Sequence, residues 1–421
     1  MILFKLAYKS LLNRRASVLL TLLTIAISVM LLLSIERVRV DAKSSFSNTI
    51  SGTDLIVGAR TGDIQLLLSS VFRIGHTNNG VSWQSYQYIT KQRGVKWSIP
   101  ISLGDSHKGQ AVLGTTLDYF KHYRFAKKQP LAFEQGQAFS SINEVVIGSE
   151  VASKLAYKIG DEIVISHGMG NTSFHHHDDN PFKVVGILKP TGTPVDKTLH
   201  VPLAAIELIH GGGHHDHDDH HDHDDHHDHS SHALIGHPKQ ITAFLMGFDS
   251  PLYTLQIRRN INQYKQEPLL AIMPTVTLKE LWEMLAIIEK ILLLFSFVVV
   301  IISLLGMLTT LLANLNQRRR ELAILRSVGA RPWQLFSLIS MESLLTTFLG
   351  CLVGCTLFYA LMGTTAGYLQ SQAGVSINIS MLSDYELTLI GVIMAAGFII
   401  GLLPATRAYF YSLSDGMSIK I

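Results

Sequence analysis

Cysteine is almost missing from this chain. There are two in 421 residues, Cys351 and Cys355, and both fall inside one apolar run. The long polar stretch between residues 41 and 285 therefore has no disulfide to staple it and must be held by an ordinary core, which its length allows. The two cysteines lie one helical turn apart and could ligate a soft metal, but small apolar packing residues are the plainer reading. Charge is also sparse, at 16% of residues with a net of +3, so the strong basic excess of a nucleic-acid binder is absent. No G-x-G-x-x-G follows a strand pattern and no G-x-x-x-x-G-K-[ST] occurs, which excludes the P-loop manner of holding ATP. The nucleophile elbow G-x-S-x-G is missing too. No catalytic constellation is visible, and the expectation is a non-enzymatic chain with no intrinsic cofactor.

Apolar residues are concentrated instead. Mean hydropathy is only +0.26, yet Val18–Ile35, Ile291–Leu312, Leu335–Leu361 and Leu387–Leu403 are each long enough, or nearly so, for the roughly 20 residues of a spanning helix. Short-loop charge sets the orientation. Lys5, Lys9, Arg14 and Arg15 precede the first run, five arginines separate the second and third, and Arg407 and Lys420 follow the fourth. The segment Gly363–Tyr385 has neither Lys nor Arg. The positive-inside rule then puts both termini in the cytoplasm and the 41–285 insert outside. The first run exits through Ser34-Ile35-Glu36-Arg37 without a small-residue cleavage site, so it is an uncleaved anchor.

The insert mixes strand-like runs (Asp54–Val57, Glu144–Ile147, Glu162–Ile165, Phe182–Leu188) with helical patterns at Ser149–Leu155 and Leu278–Ala286. Turn residues mark Lys189–Pro194. Without a long regular alternation, the expected fold is α-helical in the membrane, with four transmembrane helices and a large α+β extracytoplasmic domain between helices 1 and 2. The expected divisions are 1–40 for the N-terminal segment and first span, 41–285 for the outer domain, and 286–421 for the remaining spans.

Between the second and third runs lies Asn316–Gln334, NQRRRELAILRSVGARPWQ. Arg318, Arg319, Arg320, Arg326 and Arg331 supply the charge. Leu322, Leu325 and Val328 recur at helical spacing behind a polar face, and Gly329 with Pro332 closes the helix. An amphipathic cytoplasmic helix between two spans is shaped to take force from a soluble partner. Topology determination alone would also account for the arginines. Gly350-x-x-x-Gly354 in the third run permits close helix contact, and Glu342 in the same run is costly in a membrane.

Seventeen of the twenty histidines fall between His167 and His237. The centre contains only His and Asp, repeating as His214, His215, His217, His220, His221, His223, His226, His227 and His229 with aspartates between. A second cluster is His175, His176 and His177. Imidazole with carboxylate suits Zn²⁺, Ni²⁺ or Cu²⁺. The lead-in Gly211-Gly212-Gly213 and the composition make the tract, at about 210–237, a loop without a core of its own. It is either an inert solvated insertion or a loop that gathers metal and releases it as histidines protonate in acid.

Three segments resemble the permease subunits of MacB/FtsX-like (type VII) ABC transporters: Gln317–Arg331, Glu342 with Gly350 and Gly354, and Gly401-Leu-Leu-Pro-Ala-Thr-Arg407. Glu144–Ile165 and Phe182–Pro202 are similar to the family's periplasmic core domain. The resemblance implies a permease in a bacterial cytoplasmic (inner) membrane, an ATPase on a separate subunit, and a dimer with a second copy or a paralogue. It further implies mechanotransmission, in which closing of the cytoplasmic ends is passed up the helices to the outer domains. Arg318, Arg319, Arg320 and Glu321 would then meet the ATPase through charge, Leu322, Leu325 and Val328 would fill a groove, and Gly329 and Pro332 would set the bend. The histidine tract departs from that family and adds a link to zinc or another divalent metal, with a periplasmic adaptor or metal-binding protein as a further partner. Two alternatives remain: a regulator that switches an outer partner without moving cargo, and an exporter of peptide, lipid or lipoprotein.

Overall fold

A computed structural model describes residues 15–75, 79–167, 181–211, 238–317, 324, 327, 329–373 and 380–414. The chain divides into two compact units, one made of Met1–Ala42 with Leu285–Ile421 and the other of Lys43–Met284.

Four helices are long and apolar enough to cross a membrane. They run Arg15–Thr49, Pro274–Gln317, Pro332–Ala373 and Asp384–Ser414. All four outrun their apolar stretches. The first continues through ERVRVDAKSSFSNT because no Gly or Pro interrupts it before Gly52. For the same reason Leu278–Ala286 is not a separate helix of the outer domain: the helix opened by Pro274 meets no Gly or Pro before Gly306. The membrane unit is packed around Ile25, Val29, Leu32 and Leu33 of the first helix, Val300, Leu304, Met307 and Leu311 of the second, Cys351, Phe358 and Met362 of the third, and Ile393 of the fourth. With no hydrophobic drive between helices in lipid, that packing rests on close fit and polar contacts.

The second unit is an α+β domain around a mixed sheet. Its strands are β1 (Leu55–Ala59), β2 (Val81–Ser82), β3 (Val95–His107), β4 (Gln110–Thr115), β5 (Arg124–Phe125), β6 (Gln129–Pro130), β7 (Phe133–Gly136), β8 (Glu144–Ile147), β9 (Glu162–Ile163), β10 (Ser166–His167), β11 (Phe182–Leu188), β12 (Thr198–Pro202), β13 (Gln240–Ile241), β14 (Ala243–Phe248) and β15 (Leu269–Ile272). The main sheet runs β15-β1-β14-β3-β4-β12-β8-β11-β7. The β8–β11 and β4–β12 pairs are parallel, whereas β3 pairs antiparallel with both β14 and β4. Every residue of β1, β12 and β14 is buried, so both faces of the sheet are covered. Alternation divides neighbours between layers: Ile56 joins Ile99, Leu113, Tyr119 and Ile272 on one side, and Leu55 and Val57 join Phe244 and Met246 on the other.

Candidate functional site: the helix junctions of the membrane unit

Of the expected coupling segment, Arg318, Arg319, Arg320, Glu321, Leu322, Leu325, Arg326 and Val328 lie outside the described residues. So do His175–His177 and His214–His229. No group of three or more metal-ligating side chains occurs among the described residues. What is described is how the segment ends. Gly329 has φ +102°, a left-handed conformation in which any side chain would be strained. Arg331 N donates to Gln334 Oε1 at 2.9 Å, and Gln334 N donates to the Arg331 carbonyl at 2.9 Å. With Pro332 as its first residue, the third helix begins on a side chain reaching back to the flanking amide. Ile324 is 62% exposed, an apolar side chain left without cover in this segment.

Gly350 and Gly354 make their close contacts within the chain. A Cβ on Gly350 would come within 2.7 Å of Ile25, and one on Gly354 within 2.8 Å of the Ala26 carbonyl and of Val29. Both glycines therefore seat the third helix on the first. A matching pair escaped the sequence reading although its spacing was visible. Gly397 and Gly401, in the fourth helix, leave no room for a Cβ beside Thr347 and Ser343 of the third. Ser343 Oγ donates to the Gly397 carbonyl at 2.9 Å across that contact. Further along, Ala405 and Ala408 are buried with Ile339. Between the first and second helices, Ser28 Oγ and Ser303 Oγ share a hydrogen bond at 2.6 Å, and Ser303 Oγ also donates to the Thr24 carbonyl. Glu342 is 2% exposed.

Charge is gathered where the first helix leaves its apolar run. Arg37 Nε and Nη2 each donate to a Glu386 carboxylate oxygen at 2.9 Å. The two side chains are only 8% and 2% exposed. Arg37 Nη1 also donates to Ser380 Oγ at 2.7 Å, and the guanidinium carbon lies 5.9 Å from the Phe358 ring centroid. Glu386 has a second task. Ser383 N donates to its Oε2 at 2.7 Å while Glu386 N donates to Ser383 Oγ, a capping box that starts the fourth helix. Two residues on, Arg39 donates to both oxygens of Glu36, at 2.6 and 3.0 Å, and to Glu289 of the second helix at 2.6 Å. These fork-shaped pairs fix direction as well as distance. They join the first helix to the fourth and second helices by charge, where glycine contacts join it to the third. The Ser383-x-x-Glu386 signature before an apolar run was legible in the sequence, but its pairing with Arg37 was not.

Comparison with known proteins identifies the class. The FtsX-like permease C-terminal family matches residues 293–413, and the MacB-like periplasmic core domain matches residues 18–222. The chain belongs to the MacB/FtsX-like (type VII) ABC transporter permease family. Among solved structures, the periplasmic region of MacB from Actinobacillus actinomycetemcomitans is similar at 13% identity and a TM-score of 0.35, covering 56% of this chain and 94% of that one. The extracellular domain of the noncanonic ABC-type transporter YknZ from Gram-positive bacteria is similar at 12% identity and a TM-score of 0.31, covering 52% and 98% respectively. No curated protein matches the chain.

Proposed function

We propose that this permease is the membrane half of an ATP-driven complex that works by mechanotransmission, with both termini in the cytoplasm, the α+β domain outside, and a second copy or paralogue beside it. A separate ATPase would bind beneath residues 316–331. The observation that carries the reading is the match of the FtsX-like family across 293–413, which takes in that basic segment and both helices flanking it. The packing supports it. A helix seated on glycines at one level and held by a buried ion pair at another resists sliding, so displacement at its cytoplasmic end is handed along rather than absorbed. The left-handed Gly329 and the capped start at Pro332 give the segment a fixed hinge.

The histidine–aspartate tract adds a subsidiary role, collecting Zn²⁺ or a similar ion for a metal-linked cargo or partner. That reading rests on composition alone. The coupling assignment is tested by replacing Arg318, Arg319, Arg320 and Glu321 with alanine in the full complex. Loss of ATPase co-purification with normal membrane insertion is the expected result. Unchanged recruitment and transport would overturn it.

A further inference from the structure

Within the α+β domain, three polar side chains from distant parts of the chain come together, half-buried Arg73 with the fully buried Tyr119 and His200. Arg73 follows a π-helical turn at Leu68–Phe72 and takes a left-handed conformation, φ 58°. Its Nε and Nη1 are buried and have no hydrogen-bond partner, and it forms no ion pair among the described residues. Tyr119 is 1% exposed, and its hydroxyl has Arg73 as a neighbouring donor but makes no well-aligned hydrogen bond. Its ring stacks on Tyr123 at 4.9 Å and lies 5.1 Å from the ring of His200. His200, on β12, is fully buried, with Nδ1 3.3 Å from the Val146 carbonyl and Nε2 unpartnered.

These groups are electrostatically coupled. Arg73 acts on both neighbours: burial and then the guanidinium push His200 down to about 3, and burial raises Tyr119 while Arg73 opposes the rise. The neighbouring acid is already engaged, since Asp196 accepts from Thr191 N, Thr191 Oγ1 and Gly192 N. Leaving a buried polar group unpaired costs about 1–3 kcal/mol, and more for a charge, so several orphans together call for an occupant.

The hydrogen-bonding capacities define its chemistry. Arg73 offers two donors and a positive charge. Tyr119 offers a hydroxyl. His200 is neutral, and because its Nδ1 faces a carbonyl it must carry its proton there, which leaves Nε2 as an acceptor. An occupant therefore needs anionic oxygens for the guanidinium and one hydroxyl hydrogen for the imidazole. Hydrogen phosphate and phosphate monoesters that retain a proton have both; sulfate has only the first.

We propose that Arg73, Tyr119 and His200 form a binding site for a protonated phosphate group in the extracytoplasmic domain, independent of the coupling segment. The site shares its core cluster with Ile50 and Leu278, and Phe46 and Trp282 pack against that cluster. Occupancy would thus stiffen the part of the domain into which the first and second helices continue.

The test uses the purified full-length chain in detergent at constant ionic strength and near-neutral pH. Inorganic phosphate, glycerol phosphate and sulfate are titrated separately while thermal unfolding is followed. Saturating phosphate is expected to raise the midpoint by roughly 5 °C, with sulfate at least tenfold weaker. Arg73→Gln should abolish the shift. Tyr119→Phe keeps the ring and removes an orphan hydroxyl, so it should fold as well as the parent without anion and lose most of the phosphate response. A response to inorganic phosphate alone would assign the free ion, and a response to glycerol phosphate as well would assign a phosphate ester; both support the site. Equal midpoints with and without phosphate would overturn the proposal and leave water as the occupant. A phosphate shift that survives in both variants would also overturn it.

Discussion

Replacing Arg37 with methionine strands one of the best-buried carboxylates in the membrane unit. Glu386 is 2% exposed and receives both of its guanidinium hydrogen bonds from Arg37 at 2.9 Å. Without them it keeps only the capping bond from Ser383. Removing one partner of a buried pair typically costs about 3–5 kcal/mol, because the remaining charge is left uncompensated. Glu386→Gln is the gentler perturbation. Glutamine can still serve the capping box, and Arg37 retains Ser380 Oγ and the Met381 carbonyl, so a loss of about 2–3 kcal/mol is expected. In the double variant no charge is stranded. Its cost should be no greater than that of Arg37→Met alone, a coupling of about 2 kcal/mol between positions. The assay is equilibrium unfolding of the full-length chain and its three variants in mixed detergent micelles. Additive losses, with coupling below about 0.5 kcal/mol, would show that the pair is screened and does not hold the first helix to the fourth.

Other outcomes follow from the same contacts. Gly354→Leu should separate the third helix from the first and cost about 1–3 kcal/mol through overpacking against Ala26 and Val29, whereas Gly391→Ala, with nothing within 4 Å of its added methyl, should be neutral or stabilise by up to about 1 kcal/mol; the same unfolding assay reads both. His200 is depressed to about 3 in the folded state from an ordinary value near 6.5. The unfolded chain then binds the extra proton, so stability is full above about pH 6.5 and falls by roughly 1.4 kcal/mol per unit as the pH drops toward 3. Replacing His200 with glutamine should flatten that slope, and an unchanged acid profile would show that other groups set it. Deleting His214–His229 should remove most divalent-metal binding, read by equilibrium dialysis with Zn²⁺, while membrane insertion and ATPase association persist. Loss of assembly on that deletion would count against a separable loop.

Some of this architecture is legible in the residues alone. A run of some 20 apolar residues has little choice but to satisfy its own backbone as a helix, so four such runs gave four spanning helices. Their ends were less legible, because hydropathy registers where polar residues begin while a helix ends only where something stops it. Gly52 and Pro274 did that, well beyond the edges of the apolar runs at Ile35 and Ile291. Gly350 and Gly354 were visible as small residues at helical spacing, but spacing names only a face. That the face meets Ile25, Ala26 and Val29 is a fact about packing. Arg37 and Glu386 are 349 residues apart in sequence, and each alone looks like a flanking charge at the edge of a span. The same holds for Arg73, Tyr119 and His200, which belong to three unrelated local patterns. Local residue patterns suffice for whatever is summed along the chain: the number of spans, the basic segment between the second and third, the mixed strand and helix content of the insert, and the histidine-rich tract. Which charges are buried and with whom emerges on folding, because pairing depends on distances through space that no local sum contains.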